Sequence, residues 1–278
     1  MFEGRKLVIA TKHKKELVIA NHIEQALGVK CLTIENFDTD ILGTFSGEVE
    51  RASDPVATAR TKCYMAMELA ECDMAIASEG SFGPHPYMFF AHANEEILMF
   101  VDKKNDLEIT VRELSLETNF SGENITTEEQ LKDFAEKTKF PSHGLIIRKS
   151  KDGNEDIIKG ITDWDILADG FKQLLAKYGV VYVETDMRAM YNPTRMSVIE
   201  RTVQKLADKI SLQCPECKTP GFGVTEVKQG LPCSLCGFKT RSVLSHLCTC
   251  KKCGYTAEEM YPHNKHTEDP MYCDICNP

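Results

Sequence analysis

The chain has 278 residues, of which 42% are hydrophobic and 27% charged, with a formal net charge of −9. The apolar content supports a packed core and excludes wholesale disorder, while the acidic balance argues against broad nucleic-acid or anionic-membrane binding. No apolar run reaches the roughly 18 residues of a membrane-spanning helix. The opening Met1-Phe-Glu-Gly-Arg-Lys6 lacks a signal peptide's apolar core, so a soluble cytoplasmic protein is expected.

Lys6–Ala10 is a short apolar run that predicts a buried strand. The basic stretch Thr11-Lys-His-Lys-Lys15 follows. Glu16–Leu27 then carries Leu17, Ala20, Ile23 and Leu27 at helical spacing, with Gly28 as C-cap. Cys31–Ile34 predicts a second strand, so the chain opens on a strand–helix–strand unit of a parallel sheet. Thr11, Lys12 and Lys15 stand near a helix N-terminus, where backbone donors and the dipole attract phosphate; a solvated basic loop is the alternative. There is no glycine-rich phosphate loop, which excludes the standard nucleotide fingerprints.

Residues 36–55 are polar, and Asp38, Asp40, Glu48 and Glu50 are candidate oxygen ligands for a hard cation such as magnesium, or simply solvated acids. A helix opens at Ser53-Asp-Pro55 and runs to about Cys72, with Ala59, Cys63, Ala66, Met67 and Ala70 facing inward. Arg51, Arg60 and Lys62 lie around its first half, placed to clamp an anion or to pair with surface acids.

Met74–Ala77 predicts a buried strand that breaks into the loop Ser78-Glu-Gly-Ser-Phe-Gly-Pro-His-Pro86. Ser78, Glu79, Ser81 and His85 are the candidate catalytic residues here, because α/β proteins place chemistry at strand exits. Gly80 and Gly83 would let the backbone approach a ligand or form an anion-binding nest. A tight surface turn is the bland alternative.

Glu96–Val101 and Leu107–Leu116 predict paired strands around Lys104-Asn-Asp106. Thr126–Lys137 predicts a helix with a capping box. Leu145–Ile147 and Asp156–Ile158 predict strands, Asp163–Tyr178 a helix closed by Gly179, and Val180–Val183 another buried strand. That strand leads into a second polar cluster, Asp186, Arg188, Asn192 and Arg195, before a helix over Met196–Ile210. Arginine suits phosphate or carboxylate because its donors form a planar fork; a salt-bridged loop is the alternative.

Cys31, Cys63 and Cys72 sit in apolar surroundings and read as inert core thiols; the other nine of the twelve cysteines follow residue 213. Cys214/Cys217, Cys233/Cys236, Cys250/Cys253 and Cys273/Cys276 are four Cys-x2-Cys knuckles, enough for two tetrahedral zinc sites. Sequential pairing, first knuckle with second and third with fourth, is expected, with interleaved pairing as the other possibility. Cys248 is spare, and His246, His263 and His266 read as surface histidines. Four thiolates leave no open position, so the zinc ions are expected to be structural. The tail carries seven Lys and Arg against seven Asp and Glu, so it has no basic footprint for nucleic acid.

The opening strand–Thr11-x-x-x-Lys15–helix, Gly43-Thr-Phe-Ser-Gly-Glu48, Ala77-Ser-Glu-Gly-Ser-Phe-Gly83 and Asp186-Met-Arg188 resemble motifs of the inosine-triphosphatase-like and Maf-like nucleoside triphosphate pyrophosphatases, over residues 5–85 and 180–210. The resemblance implies that Glu48 and Glu79 hold Mg²⁺ and that Lys12, Lys15, Arg51, Arg60 and Arg188 hold phosphates. Where that family has paired aspartates this chain has Ser78-Glu79, and it has no Ser-His-Arg. The chain as a whole also resembles an uncharacterised bacterial family, which implies no activity.

The expected architecture is α/β: a mixed, mainly parallel sheet with flanking helices over residues 1–212, inosine-triphosphatase-like, and a double zinc-ribbon module over 213–278. The expected function is a Mg²⁺-dependent hydrolase of a nucleoside triphosphate or related phosphorylated small molecule. The alternative is a non-catalytic anion-binding protein whose ribbons recruit a partner. A homodimer is left open.

Overall fold

The computed structural model describes residues 1–34, 54–88, 90–153 and 155–278. The chain divides into two compact units, Met1–Ala207 and Asp208–Pro278. Among the described residues, no helix is long and apolar enough to cross a membrane.

The first unit opens with β1 (Lys6–Ala10), α1 (Glu16–Leu27) and β2 (Lys30–Leu32). Gly28 caps α1 at φ 66° and donates its amide to the Glu24 carbonyl, a conformation that costs glycine little. This turn lets β2 return parallel to β1, as the sequence pattern predicts. α2 (Pro55–Leu69) is started by Asp54, whose carboxylate accepts from the Val56 and Ala57 amides. β3 (Met74–Pro84), β4 (His92–Asp102) and β5 (Leu107–Ser115) complete a five-stranded sheet in the order β2-β1-β3-β4-β5. Strand alternation sends Ala75, Ala77, Met99 and Val101 to one face, where they pack with Ala59, Cys63 and Ala66 of α2.

A second sheet follows, built from β6 (Gly122–Ile125), β7 (Leu145–Arg148), β8 (Ile158–Ile161) and β9 (Val181–Thr185) in the order β6-β9-β7-β8. α3 (Glu128–Lys137) and α4 (Trp164–Tyr178) share its core, with Leu131, Phe134, Phe171 and Leu174 against Ile125, Leu145, Ile147 and Val183. The Thr127 hydroxyl caps α3 at the Gln130 amide, and Gln130 Oε1 accepts from the Thr126 amide, which is the capping box. α5 (Pro193–Ser211) comes next.

Two expectations need correction. The strands form two sheets, and only the β2–β1 and β1–β3 pairings are parallel. β3–β4–β5 is an antiparallel meander, and every pairing of the second sheet is antiparallel. The reason is that β3, β4 and β5 follow one another through short turns, which join antiparallel neighbours directly. The second correction concerns Ser78–Pro84, which is not a loop. β3 stays in register with β4 from Met74↔Asp102 to Pro84↔His92, so Ser78, Glu79 and Gly80 lie inside a strand and no glycine nest forms. The ladder with β4 overrides the glycine breakers, and Pro84 is tolerated because it closes the strand.

Arg195 and Glu96 form the deepest ion pair of this unit. Both side chains are fully buried, with Arg195 Nε 2.7 Å from Glu96 Oε1. Arg195 Nη1 also donates to the Met187 carbonyl at 2.5 Å, and its guanidinium lies over the Phe82 ring, 5.1 Å from the centroid. Gly80 faces Glu96 across the ladder, and a Cβ built there would stand 2.6 Å from Glu96 Oε1 and still nearer the guanidinium. Removing one partner of such a pair leaves an uncompensated buried charge. Glu96→Gln is therefore expected to lower the unfolding free energy by about 3–5 kcal/mol, read by chemical denaturation. A loss below about 1 kcal/mol, the value of an exposed pair, would show that the pair does not hold the unit together.

Candidate functional site

β1 ends its pairing with β3 at Ala10↔Ala77, while β3 runs on to Pro84. Several of the buried charged side chains of the first unit gather at this step. Lys15, at the start of α1, donates from Nζ to Ser78 Oγ at 2.8 Å. Lys62, on the inner face of α2 between Ala59 and Ala66, places Nζ 2.5 Å from Glu79 Oε1. Ser78 and Glu79 are adjacent in β3, so they point to opposite faces, and each takes a lysine from the helix covering that face. Glu96 faces Gly80 in the ladder and therefore shares the Ser78 face, where Arg195 meets it. Lys15, Lys62, Ser78, Glu79, Glu96 and Arg195 are each less than one-tenth exposed.

Among the described residues, three basic side chains stand here beside two carboxylates. Burial, helped by the Arg195 charge, brings the Lys15 ammonium down to about 7, with Glu96 and Glu79 acting in the opposite sense. Both interactions follow from low local dielectric. On the Glu96 face, Asn94 is fully buried, and neither polar atom of its amide has a hydrogen-bond partner among the described residues. Buried amides are normally satisfied, so this one calls for a partner beyond the described protein atoms.

The other candidate residues have separate roles. Ser81 lies half-buried on the Glu79 face of β3. His85 Nδ1 accepts the amides of Tyr87 and Met88 and so shapes the β3–β4 turn. Thr11 Oγ1 accepts the His13 amide, and Lys12 is exposed. Arg60 donates from Nε to both carboxylate oxygens of Glu108 at 3.0 Å, tying α2 to β5. Asp186 is fully buried and accepts from Arg188 and from the Gly160 amide. Arg188 also stacks over the Tyr191 ring. Asn192 donates to Asn119 Oδ1 and accepts the Arg195 amide, fixing the start of α5. The second polar cluster thus shapes a turn, and Arg195 is its member that reaches Glu96. Glu48 and Arg51, with Asp38, Asp40 and Glu50, lie outside the described residues.

Lys62 and Glu96 complete the site. Lys62 lies one turn from Ala59 and Ala66 on the buried stripe, and Glu96 has the strand parity of Leu98 and Phe100, both buried. A charge on an apolar stripe is the signal that marks both. The carboxylates of Glu79 and Glu96 each face a cation, so the described donors do not form a hard-cation site; magnesium there would need further oxygen ligands.

In the second unit, β10 (Val224–Gln229), β11 (Val243–Thr249) and β12 (Thr256–Met260) form an antiparallel sheet. Cys214, Cys217, Cys250 and Cys253 form one group and Cys233, Cys236, Cys273 and Cys276 another, with the sulfurs of each group within 4.8 Å of one another. The pairing is interleaved, not sequential. β10 carries the chain from the first knuckle to the opposite end of the sheet, so neighbouring knuckles in sequence cannot share an ion. Each knuckle is closed by a hydrogen bond from a backbone amide to the carbonyl of its first cysteine: Lys218 to Cys214, Gly237 to Cys233, Gly254 to Cys250 and Asn277 to Cys273, all at 2.9 Å. Gly237 and Gly254 adopt φ 72° and 74°, which explains glycine at those positions. The amides of Cys236 and Leu235 bring the Cys233 thiol down to about 7 and Thr219 brings Cys217 down to about 6, while burial and the neighbouring sulfurs push Cys253 and Cys276 up to about 12, so without metal the thiols of each group share their protons. Cys248 and the three tail histidines lie outside both groups. Four thiolates and no open position are the donor set of a structural metal site.

The molecule thus joins a mixed α/β unit bearing a buried charged cluster to a module with two four-cysteine groups able to hold two metal ions. The chain belongs to the family described as Domain of unknown function (DUF6671), which matches residues 62–278. That match includes Lys62, Glu79, Glu96, Arg195 and all eight clustered cysteines. A comparison with curated proteins finds no match.

Two outcomes are expected. Apart from cysteines, the buried hydrophobic residues described in the second unit are Ile210 and Leu231, too few for a core. Metal removal by a chelator is expected to abolish amide-exchange protection in β10–β12 while β3 and β4 stay protected; retained protection in β10–β12 would show that the fold stands without metal. Lys15 gives a pH signature. Its folded value is about 7 against roughly 10.4 for an unfolded lysine. Between these values the unfolded chain binds more protons, so native stability rises with pH, by up to about 1.4 kcal/mol per unit. The stability difference between wild type and Lys15→Met is expected to grow in favour of wild type from pH 7 to 9. A flat difference would place a charged ammonium in the folded state.

Proposed function

We propose that the cluster at the end of β1 binds a phosphorylated small molecule and hydrolyses it, and that the two four-cysteine groups hold structural zinc. The observation that carries this reading is the gathering, among the described residues, of three buried basic side chains, Lys15, Lys62 and Arg195, beside Glu79 and Glu96, with Lys15 held near 7 by burial and the Arg195 charge. A phosphate group entering between Lys15 and Lys62 would restore the charged form of Lys15 and pair with it. Arg195, held by Glu96 and the Met187 carbonyl, supports the Ser78 face without moving. Glu79, released from Lys62 by the phosphate, would take the proton of an attacking water. The resemblance to inosine-triphosphatase-like enzymes makes nucleoside triphosphates the first substrates to try, with Mg²⁺ as their usual counterion.

One observation favours a non-catalytic reading: Glu79 is already engaged by Lys62 at 2.5 Å, as it would be in a site that only binds. The two readings separate in one experiment. Phosphate and pyrophosphate release is measured over a panel of ordinary and modified nucleoside triphosphates, with and without Mg²⁺, for wild type and Glu79→Gln. Hydrolysis predicts turnover that falls by about 10²–10⁴ in Glu79→Gln with ligand affinity retained. Binding without turnover across the panel, lost in Lys15→Met, supports the non-catalytic reading. Neither binding nor turnover would remove the nucleotide assignment.

A further inference from the structure

Each strand of the second unit runs from one four-cysteine group to the other. β10 leaves Cys217 and leads to Cys233; β11 leaves Cys236 and returns to Cys250; β12 leaves Cys253 and leads to Cys273. The registers agree with this: Val224 pairs with Cys248 and Thr249 with Thr256 near the first group, while Gln229 pairs with Val243 and Ser245 with Met260 toward the second. Both ends of all three strands are therefore pinned by metal ligands. The chain between Cys217 and Cys250, 33 residues apart, contains Cys233 and Cys236. The chain between Cys236 and Cys273, 37 apart, contains Cys250 and Cys253.

We propose that the two metal sites load as one cooperative unit, each metal completing the sheet that positions half of the ligands of the other. Two sequential ribbons would lack this property, because each would close on its own stretch of chain. Loop closure alone is too weak to produce it, since halving a loop changes a closure constant by about threefold. The larger contribution is the sheet. With Ile210 and Leu231 as its buried non-cysteine hydrophobics, the unit orders three strands chiefly through its metals. Losing one metal frees one end of every strand. The amide bonds linking the region of the second group, Glu268 to the Pro232 carbonyl and Ser234 to the Glu268 carbonyl, then lose the strands that bring them together.

The test uses the full chain loaded with zinc and titrated with a strong chelator, with bound ions counted by native mass spectrometry. Independent equal sites would put about half of the protein in the one-ion form at the midpoint, and tenfold coupling lowers that to about a quarter. The expected result is a one-ion population at or below a quarter. A one-ion form at half or more would overturn the proposal. A second measurement uses Cys217→Ser with Cys250→Ser and reads zinc affinity at the remaining group by competition. At least tenfold weakening is expected, and wild-type affinity would overturn it. The chelator titration of wild type decides the matter if the double variant does not fold.

Discussion

The buried Arg195–Glu96 pair is the constraint on which the first unit depends. It joins the first turn of α5 to the middle of β4, and its remaining donors reach the Met187 carbonyl beyond β9. One guanidinium thereby ties the five-stranded sheet to the exit of the four-stranded one. Moving both charges out of water costs several kcal/mol per ion before any attraction is counted. The pair is tolerable because Asn192, Met187, Phe82 and Gly80 hold it in one geometry. Its net contribution to stability is small, and its breakage is expensive. Such a pair specifies which element meets which.

The same pair sets the electrostatics of the neighbouring site. Arg195 lies close enough to Lys15 to help hold its ammonium below the ordinary lysine range, after burial itself. Among the described residues the site sets three basic side chains beside two carboxylates, while the protein as a whole carries −9. Net charge describes the surface and says little about a cleft.

The second unit solves its folding problem differently. It has almost no apolar core, so its strands are held at their ends by cysteine knuckles. Among the described residues, the first unit is fixed by buried charge pairs and apolar cores, whereas the second is fixed by its cysteine groups and by backbone hydrogen bonds within the knuckles.

Sequence alone identified the eight clustered cysteines, because Cys-x2-Cys spacing is set by the size of a metal and needs no tertiary context. It also placed α1, α3 and α4, whose caps at Gly28, Thr127 and Gly179 act within one turn, and it marked Lys15, Ser78, Glu79 and Arg195. Tertiary structure decided the rest. Ser78–Pro84 became a strand because β4 supplies its ladder, which no local glycine or proline signal can report. β6, Gly-Glu-Asn-Ile, has no alternation of its own and exists because β9 pairs with it. Arg60 and Arg188 pair with Glu108 and Asp186, partners that residue type alone does not name. The knuckle pairing followed the strand directions, since four equivalent Cys-x2-Cys motifs carry no information about which two share an ion. Spacing within a motif is local chemistry; partnership between motifs is fixed only when the chain has crossed the sheet.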